Sequence, residues 1–274
     1  MTRPASRPVS VRPSAVLSLD HYDWLNQLSS LFDRLVRSTR MVLFETIYEE
    51  WKYASHGGTV FVVALAGKPY GITNRHVVGD FAWDDLCVPN RRTDADAFAA
   101  PKAICYPSDL KKGAEGTDLG DIAVIEFRDD VELGFFGEDF FPLEASIVPA
   151  HTGDDLIVYG ALKEKSTIAD RKIMPTFASL GFQDDGPHSH DPFLRNCSAY
   201  WASPEFTSIS GLSGSPVFNE TRNGLTGLMI RGGLSGNNAT GLYLDFEDVF
   251  RVLQNVHEGV SHDDYFKPIR QGQA

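Results

Sequence analysis

The sequence predicts an all-β protein, and three observations predict it. Short runs rich in Val, Ile, Phe and Thr recur from about residue 40 onward, Gly, Pro, Asn and Asp punctuate them, and no helical pattern alternates with them. Many short strands without intervening helices point to an antiparallel sandwich or barrel and away from a parallel α/β sheet. The 274 residues suffice for one large domain or two small ones. With 42% hydrophobic and 23% charged residues, 18 Phe and 9 Tyr, the chain can bury a sizeable core.

Taken in order, residues 1 to about 18 are rich in Pro, Ser and Arg and read as a flexible tail. Asp20 is a candidate helix cap. Leu25, Leu28, Phe32, Leu35 and Val36 follow at helical spacing and make one apolar face, which calls for something to pack against. That partner is either the barrel itself or a regulatory protein, and docking on the barrel is the preferred expectation. The expected strands are Met41–Tyr48, Thr59–Leu65, Ile72–Thr73, Phe98–Cys105, Asp121–Phe127, Leu156–Leu162, Pro216–Asn219, Leu225–Arg231 and Gly241–Phe246. Residues 247 to about 256 read as a closing helix with Val249, Phe250 and Leu253 on one face. No internal repeat and no appended module is visible.

The formal net charge of −12 argues against nucleic-acid binding as the main function. No stretch approaches the roughly 20 apolar residues of a membrane span. Cys87, Cys105 and Cys197 cannot all pair with one another, and none sits in a C-x-x-C, so free thiols are expected. The N-terminus lacks the apolar core and cleavage site of a secretory signal. Both observations predict a reducing, cytoplasmic location.

Three segments carry chemistry. In the first, Ile72 to Val78, His76 stands at the end of an expected strand, a place where a histidine taken alone is more often a structural hydrogen-bonder. In the second, Gly116 to Ile125, the carboxylate of Asp121 enters an apolar strand, where a charge is costly unless it has a partner such as a histidine N–H. The third, Ser210 to Phe218, holds Ser213 between glycines. A serine hydroxyl is a poor nucleophile until a base accepts its proton. Glycines permit backbone conformations that aim the N–H groups of Gly211 and Ser213 at one point, where an oxyanion can be held. Taken alone, the third string also fits an ordinary Gly/Ser turn.

Together TNRHVV, GTDLGDIAVIEF and SGLSGSPVF resemble the catalytic blocks of the trypsin-like (chymotrypsin-fold) serine proteases, in that family's order of His, Asp, Ser. The likeness is closest to the bacterial HtrA/Deg-like branch, here without a PDZ domain. Gly57 to Val63, Thr152 to Gly160 and Gly241 to Leu244 with the following helix resemble the family's flanking segments, so the match runs over about residues 40–256. The resemblance implies two six-stranded antiparallel Greek-key β-barrels, with an N-terminal and a C-terminal helix. It implies His76 as general base, Asp121 as the group that orients it, and Ser213 as nucleophile. Asp118 is a rival to Asp121, but Asp121 directly precedes the apolar run. It implies an oxyanion hole from Gly211 and Ser213, and a substrate channel along Ile230, Arg231 and Gly232, where peptide binds by β-augmentation. Thr207 falls at the base of the primary pocket. No acid stands there, so preference for Lys or Arg is not expected, and a small or medium apolar residue is.

The expected layout is a tail and amphipathic helix over 1–38, a protease domain over 39–258 with its barrel boundary near 135–155, and a C-terminal tail over 259–274. Leu212 stands where some members carry a polar or acidic residue, and no activation site is recognisable, so activation by cleavage is not expected. The expected function is peptide-bond hydrolysis through an acyl-enzyme. The alternative is a silent or latent trypsin-like domain that binds peptide or protein. The expected partners are a polypeptide substrate and a regulatory protein reached by the N-terminal helix, with neither nucleic acid nor membrane. No cofactor and no metal is expected, although His188, His190, Asp191 and Cys197 include metal-ligand types.

Overall fold

The computed structural model describes residues 30–48, 52–55, 57–79, 85–93, 95–107, 118–143, 146–169, 172–200, 208–235 and 238–259. It opens on helix α1 (Ser30–Ser38), followed by β1 (Thr39–Met41), β2 (Leu43–Glu45), β3 (Tyr53–Ala54), β4 (Thr59–Leu65), β5 (Lys68–Asn74), the short helix α2 (Arg75–Val78), β6 (Leu86–Pro89), β7 (Phe98–Ala99), β8 (Pro101–Cys105), β9 (Ile122–Phe127) and β10 (Phe141–Pro142). The second half comprises β11 (Asp155–Ala161), β12 (Thr167–Ala169), β13 (Lys172–Met174), β14 (Phe177–Pro187), β15 (Leu194–Tyr200), β16 (Pro216–Asn219), β17 (Gly224–Ser235) and β18 (Asn238–Asp245), and α3 (Phe246–Glu258) is the last element among the described residues.

In the first half the strands run β1-β4-β5-β9-β8, with β10 lying parallel to β4 on the edge that β1 leaves open. A second sheet, β3-β2-β6-β7, packs on it. Alternate residues of β4 and β9 go to different cores. Val60, Val62, Ala123 and Ile125 face the second sheet with Val42, Phe44, Leu86 and Val88. Phe61, Val63, Ile122 and Val124 face the seam with the second half. Burial on both faces explains why these strands read as unbroken apolar runs. The expected first barrel is therefore two packed sheets in hydrogen-bonding terms.

The second half is a closed barrel in the order β11-β14-β15-β18-β17-β16. The strands β11, β14 and β15 meander, the chain crosses to β16, and β16-β17-β18 meander back beside β15, which is a Greek key. Leu156, Val158, Leu180, Phe182, Val217, Met229 and Tyr243 fill its interior. Two of its strands, β14 and β15, were not among the expected ones, and both carry inward polar groups. Asp184 is fully enclosed. Its carboxylate accepts from Arg195 Nε at 2.9 Å, Arg195 Nη2 at 2.7 Å, Tyr243 Oη and the amide of Gly186 at 2.7 Å. Burial alone lowers the pKa of Arg195, but the hydrogen bonds and charge of Asp184 outweigh it and raise it. The β14–β15 register shifts at this point, between Asp184 and Gly186.

Helices α1 and α3 join the halves. Phe32, Leu35 and Val36 of α1 are fully buried, and Phe32 meets Tyr159 and Phe218 of the barrel edge-on. An Asp33–Arg37 pair at 2.9 Å supports the exposed face. At the end of α1, the hydroxyls of Ser38 and Thr39 donate to Leu35 O at 2.9 and 2.8 Å, filling an orphan carbonyl. Over Ser30–Ser38 the apolar face is thus spent on the protein's own core. Asp20, Leu25 and Leu28 lie outside the described residues. Arg40 is fully buried and donates to the carbonyls of Arg37, Thr39, Pro89, Asn90 and Asp139. Burial lowers its pKa to about 10, which still leaves it charged at neutral pH. Helix α3 is capped by Asp245, which accepts from Glu247 N at 3.2 Å, and buries Phe246, Val249, Val252 and Leu253. No helix among the described residues is long and apolar enough to cross a membrane.

Candidate active site

The histidine and the aspartate meet because of strand register. Asn74, the last residue of β5, pairs with Ile122, the first of β9. The chain continues past Asn74 into α2 and enters β9 from the 3₁₀ turn Asp118–Asp121. Residues 76 and 121 therefore face each other. Asp121 Oδ2 lies 2.6 Å from His76 Nδ1, and Asp121 Oδ1 accepts the His76 backbone N–H at 3.0 Å. With an ionised carboxylate at Nδ1, the neutral ring carries its proton there and leaves Nε2 as an acceptor. The His76 side chain is about half exposed, so this acceptor is reachable from solvent.

The serine lies on the turn between Ile209 and β16. Gly211 has φ +106°, and a Cβ there would stand 2.5 Å from Ala161 O and 2.9 Å from Lys163 N, so only glycine fits. At Gly214, with φ +83°, a Cβ would stand 2.1 Å from Thr59 O, so glycine is required there as well. The carbonyl of Ser210 accepts from Lys163 N at 2.9 Å, and that of Leu212 accepts from Ser215 N at 2.9 Å. In a planar trans peptide the following N–H points the other way. The amides of Gly211 and Ser213 consequently face away from these anchors, and neither has a hydrogen-bond partner among the described residues.

An open groove is lined by His76, Gly120, Asp121, Ile230 and Arg231. Ser213 adjoins one of these lining residues: its hydroxyl donates to Ile230 O at 2.9 Å. The structure thus brings His76, Asp121, Ile230 and Arg231 to one surface and places Ser213 against Ile230. It does not join Ser213 Oγ to His76, since no hydrogen bond links them. The outer edge of β17 is paired with β16 only through Leu228, and no strand covers that edge over Gly232–Ser235 among the described residues. A Cβ on Gly232 would meet Ile209 Cδ1 at 2.8 Å. Thr207 lies outside the described residues.

Among solved structures, the chain is similar to the scabies mite inactivated protease paralogue S-I1, with 14% sequence identity and a TM-score of 0.56 over 81% of this chain and 94% of that one. The fold is chymotrypsin-like. No protein-family model matches the sequence, and no curated protein matches it. The groove above lies between the two halves, where α2 after β5 presents His76, the 3₁₀ turn before β9 presents Asp121, and β17 presents Ile230 and Arg231.

The buried thiols of Cys87 and Cys197 offer no rival nucleophile. All three cysteines are free. Burial pushes the Cys87 thiol up to about 12 and raises that of Cys197 further, so neither ionises near neutral pH. The metal-ligand types near residue 190 are spent otherwise. His188 Nδ1 accepts the amides of His190 and Asp191 at 3.4 and 3.2 Å, and Asp191 Oδ1 accepts that of Phe193 at 2.9 Å. Among the described residues no group of three His, Cys, Asp or Glu side chains is placed to hold a metal.

One contributor escaped sequence reasoning. Thr59 lies between the halves and bonds to both the serine turn and the strand before His76. Only its place directly after Gly57-Gly58 and opening a strand signalled a special position.

Proposed function

We propose that the chain is a serine endopeptidase of the trypsin-like class, nearest the HtrA/Deg-like branch. The observation that carries this reading is the grip of Asp121 on both the backbone N–H and Nδ1 of His76, which presents Nε2 as a base at the groove that Ser213 borders. A peptide lies along the open edge of β17 over Ile230, Arg231 and Gly232. When a substrate N–H takes Ile230 O, the Ser213 hydroxyl is displaced and turns about χ1 toward His76. Its proton passes to Nε2 as Oγ bonds to the carbonyl carbon, and the amides of Gly211 and Ser213 receive the oxyanion. The imidazolium, steadied by Asp121, then protonates the leaving amine, and water repeats the sequence on the acyl-enzyme. The chemistry needs no cofactor. Thr207 is assigned to the primary pocket, which fits a small or medium apolar side chain. A polypeptide substrate, a cytoplasmic location suited to free thiols, and a regulatory partner for the N-terminal region complete the proposal.

The test is labelling by a fluorophosphonate together with cleavage of an unfolded polypeptide. Wild type should be modified at Ser213, and Ser213→Ala should lose several orders of magnitude in turnover. Unchanged cleavage by Ser213→Ala would remove the serine assignment. A second reading, a silent peptide-binding domain, is favoured by the Ser213–Ile230 hydrogen bond, which holds the hydroxyl off His76. Peptide binding with neither labelling nor cleavage would select it.

A further inference from the structure

In the serine turn, the amides of Gly211 and Ser213 have no partner among the described residues, and one residue grips the carbonyls of both. Thr59 Oγ1 donates to Gly211 O at 2.9 Å, and Thr59 N donates to Ser213 O at 2.9 Å. The directions are fixed by valence. A hydroxyl has one hydrogen and two lone pairs. Gly211 O can only accept, so it takes the hydrogen. Ala161 N can only donate, and it does so to Thr59 Oγ1 at 2.9 Å. Ser215 Oγ donates to the remaining lone pair at 3.1 Å. Every valence of this fully buried hydroxyl is used. The Thr59 carbonyl in turn accepts from Thr73 Oγ1 at 2.6 Å, on the strand that leads into His76.

We propose that Thr59 is a positioning residue for the serine turn: its hydroxyl and its amide lock the Gly211–Leu212 and Ser213–Gly214 peptides, each directly after a peptide that carries one of the two N–H groups, so that the amides of Gly211 and Ser213 stay aimed at one place. Gly211, lacking a Cβ, turns its flanking peptides at small cost, so its orientation depends on such anchors. The Ser210–Lys163 bond fixes the peptide before Gly211, and Thr59 fixes the one after it. The inference deepens the proposed peptidase reading and rests on it for its catalytic consequence, while the locking itself is measurable without activity.

The experiment compares Thr59→Val, which keeps the shape and loses the hydroxyl, with Thr59→Ser, which keeps it, in the full chain. Thr226→Val is the control, since it deletes another buried hydroxyl, the one that donates to Val148 O at 2.9 Å away from the groove. Two quantities are read: kcat and KM for peptide cleavage, and residue-resolved amide exchange at Leu212, Gly214 and Ser215, whose N–H groups are paired within this turn or to Met229. Loss of an oxyanion donor costs about 10²–10³ in turnover, so its misdirection should lower kcat about 10- to 100-fold with KM little changed. Exchange at the three amides should quicken at least about tenfold. Thr59→Ser should restore both, and Thr226→Val should leave both as in wild type while lowering thermal stability. If Thr59→Val does not fold, Thr59→Cys, with its weak donor, should give an intermediate loss. Wild-type kcat or unaltered exchange in Thr59→Val overturns the proposal, as does equal damage by Thr59→Ser. If wild type neither cleaves nor labels while exchange follows the expected pattern, the locking stands and the peptidase reading falls.

Discussion

Replacing Asp121 with Asn tests the geometry around His76 most sharply. The carboxylate faces two donors, the His76 backbone N–H at 3.0 Å and the ring at 2.6 Å. Asparagine offers one acceptor and one donor group. The backbone N–H cannot change its role, so the amide oxygen must stay with it and the NH₂ must face Nδ1. The ring then has to accept at Nδ1 and carry its proton on Nε2, the wrong nitrogen for taking one from Ser213. Reversing the amide leaves the backbone N–H facing another donor, which costs about 1–3 kcal/mol. That holds the competent tautomer to roughly a tenth to a hundredth of the population. Loss of the negative charge beside the imidazolium supplies a further factor. Together they place Asp121→Asn about 10⁴-fold below wild type in kcat, about 5.5 kcal/mol. Turnover of an unfolded polypeptide measures the rate, and ¹⁵N spectra of the imidazole show which nitrogen is protonated. A variant within tenfold of wild type, or one that retains the proton on Nδ1, would refute the argument.

Two further expectations concern stability. Arg195→Met leaves the Asp184 carboxylate enclosed with only Tyr243 and the Gly186 amide, and should cost about 3–5 kcal/mol in urea unfolding; a loss under about 1 kcal/mol would show that the pair is not what satisfies the barrel there. Burial works to raise the pKa of Asp154, but hydrogen bonds from Asn219, Arg222 and the His151 amide outweigh it and hold the value below the usual carboxylate range. With the folded pKa below the unfolded one, its contribution is complete above about pH 4 and is lost as pH falls through the folded value. Asp154→Asn should therefore flatten the fall of the urea midpoint below pH 4, and an unchanged acid slope would contradict the assignment.

Much of the fold was legible because burial imposed it on residue choice. Thr59–Leu65 and Pro216–Asn219 were read with their observed bounds, since apolar runs stop at glycine or at a turn. The strands β14 and β15 were missed for the opposite reason. Asp184 and Arg195 point inward, where they satisfy each other, and so read as surface until the partner strand is known. The alternation of Ala178, Leu180 and Phe182 with Ser179, Gly181 and Gln183 was the available signal. At the candidate site, the order of His76, Asp121 and Ser213 was readable, and register accounts for the meeting of the first two. The side-chain choice of Ser213 between Ile230 and His76 was not, because a rotamer leaves no trace in sequence. Nor was the role of Thr59, whose hydroxyl acquires partners only from residues brought near by folding.

The seating of α1 has a consequence for how the chain is made. Phe32 is among the earliest of the described residues to be synthesised, yet the rings that enclose it belong to Tyr159 and Phe218. During translation β4 and β10 can cover part of the helix's apolar stripe, but the part under Tyr159 and Phe218 stays open until β11 and β16 have left the ribosome. The growing chain is thus exposed to sticking at this helix until β16, roughly 180 residues later, brings Phe218 to it.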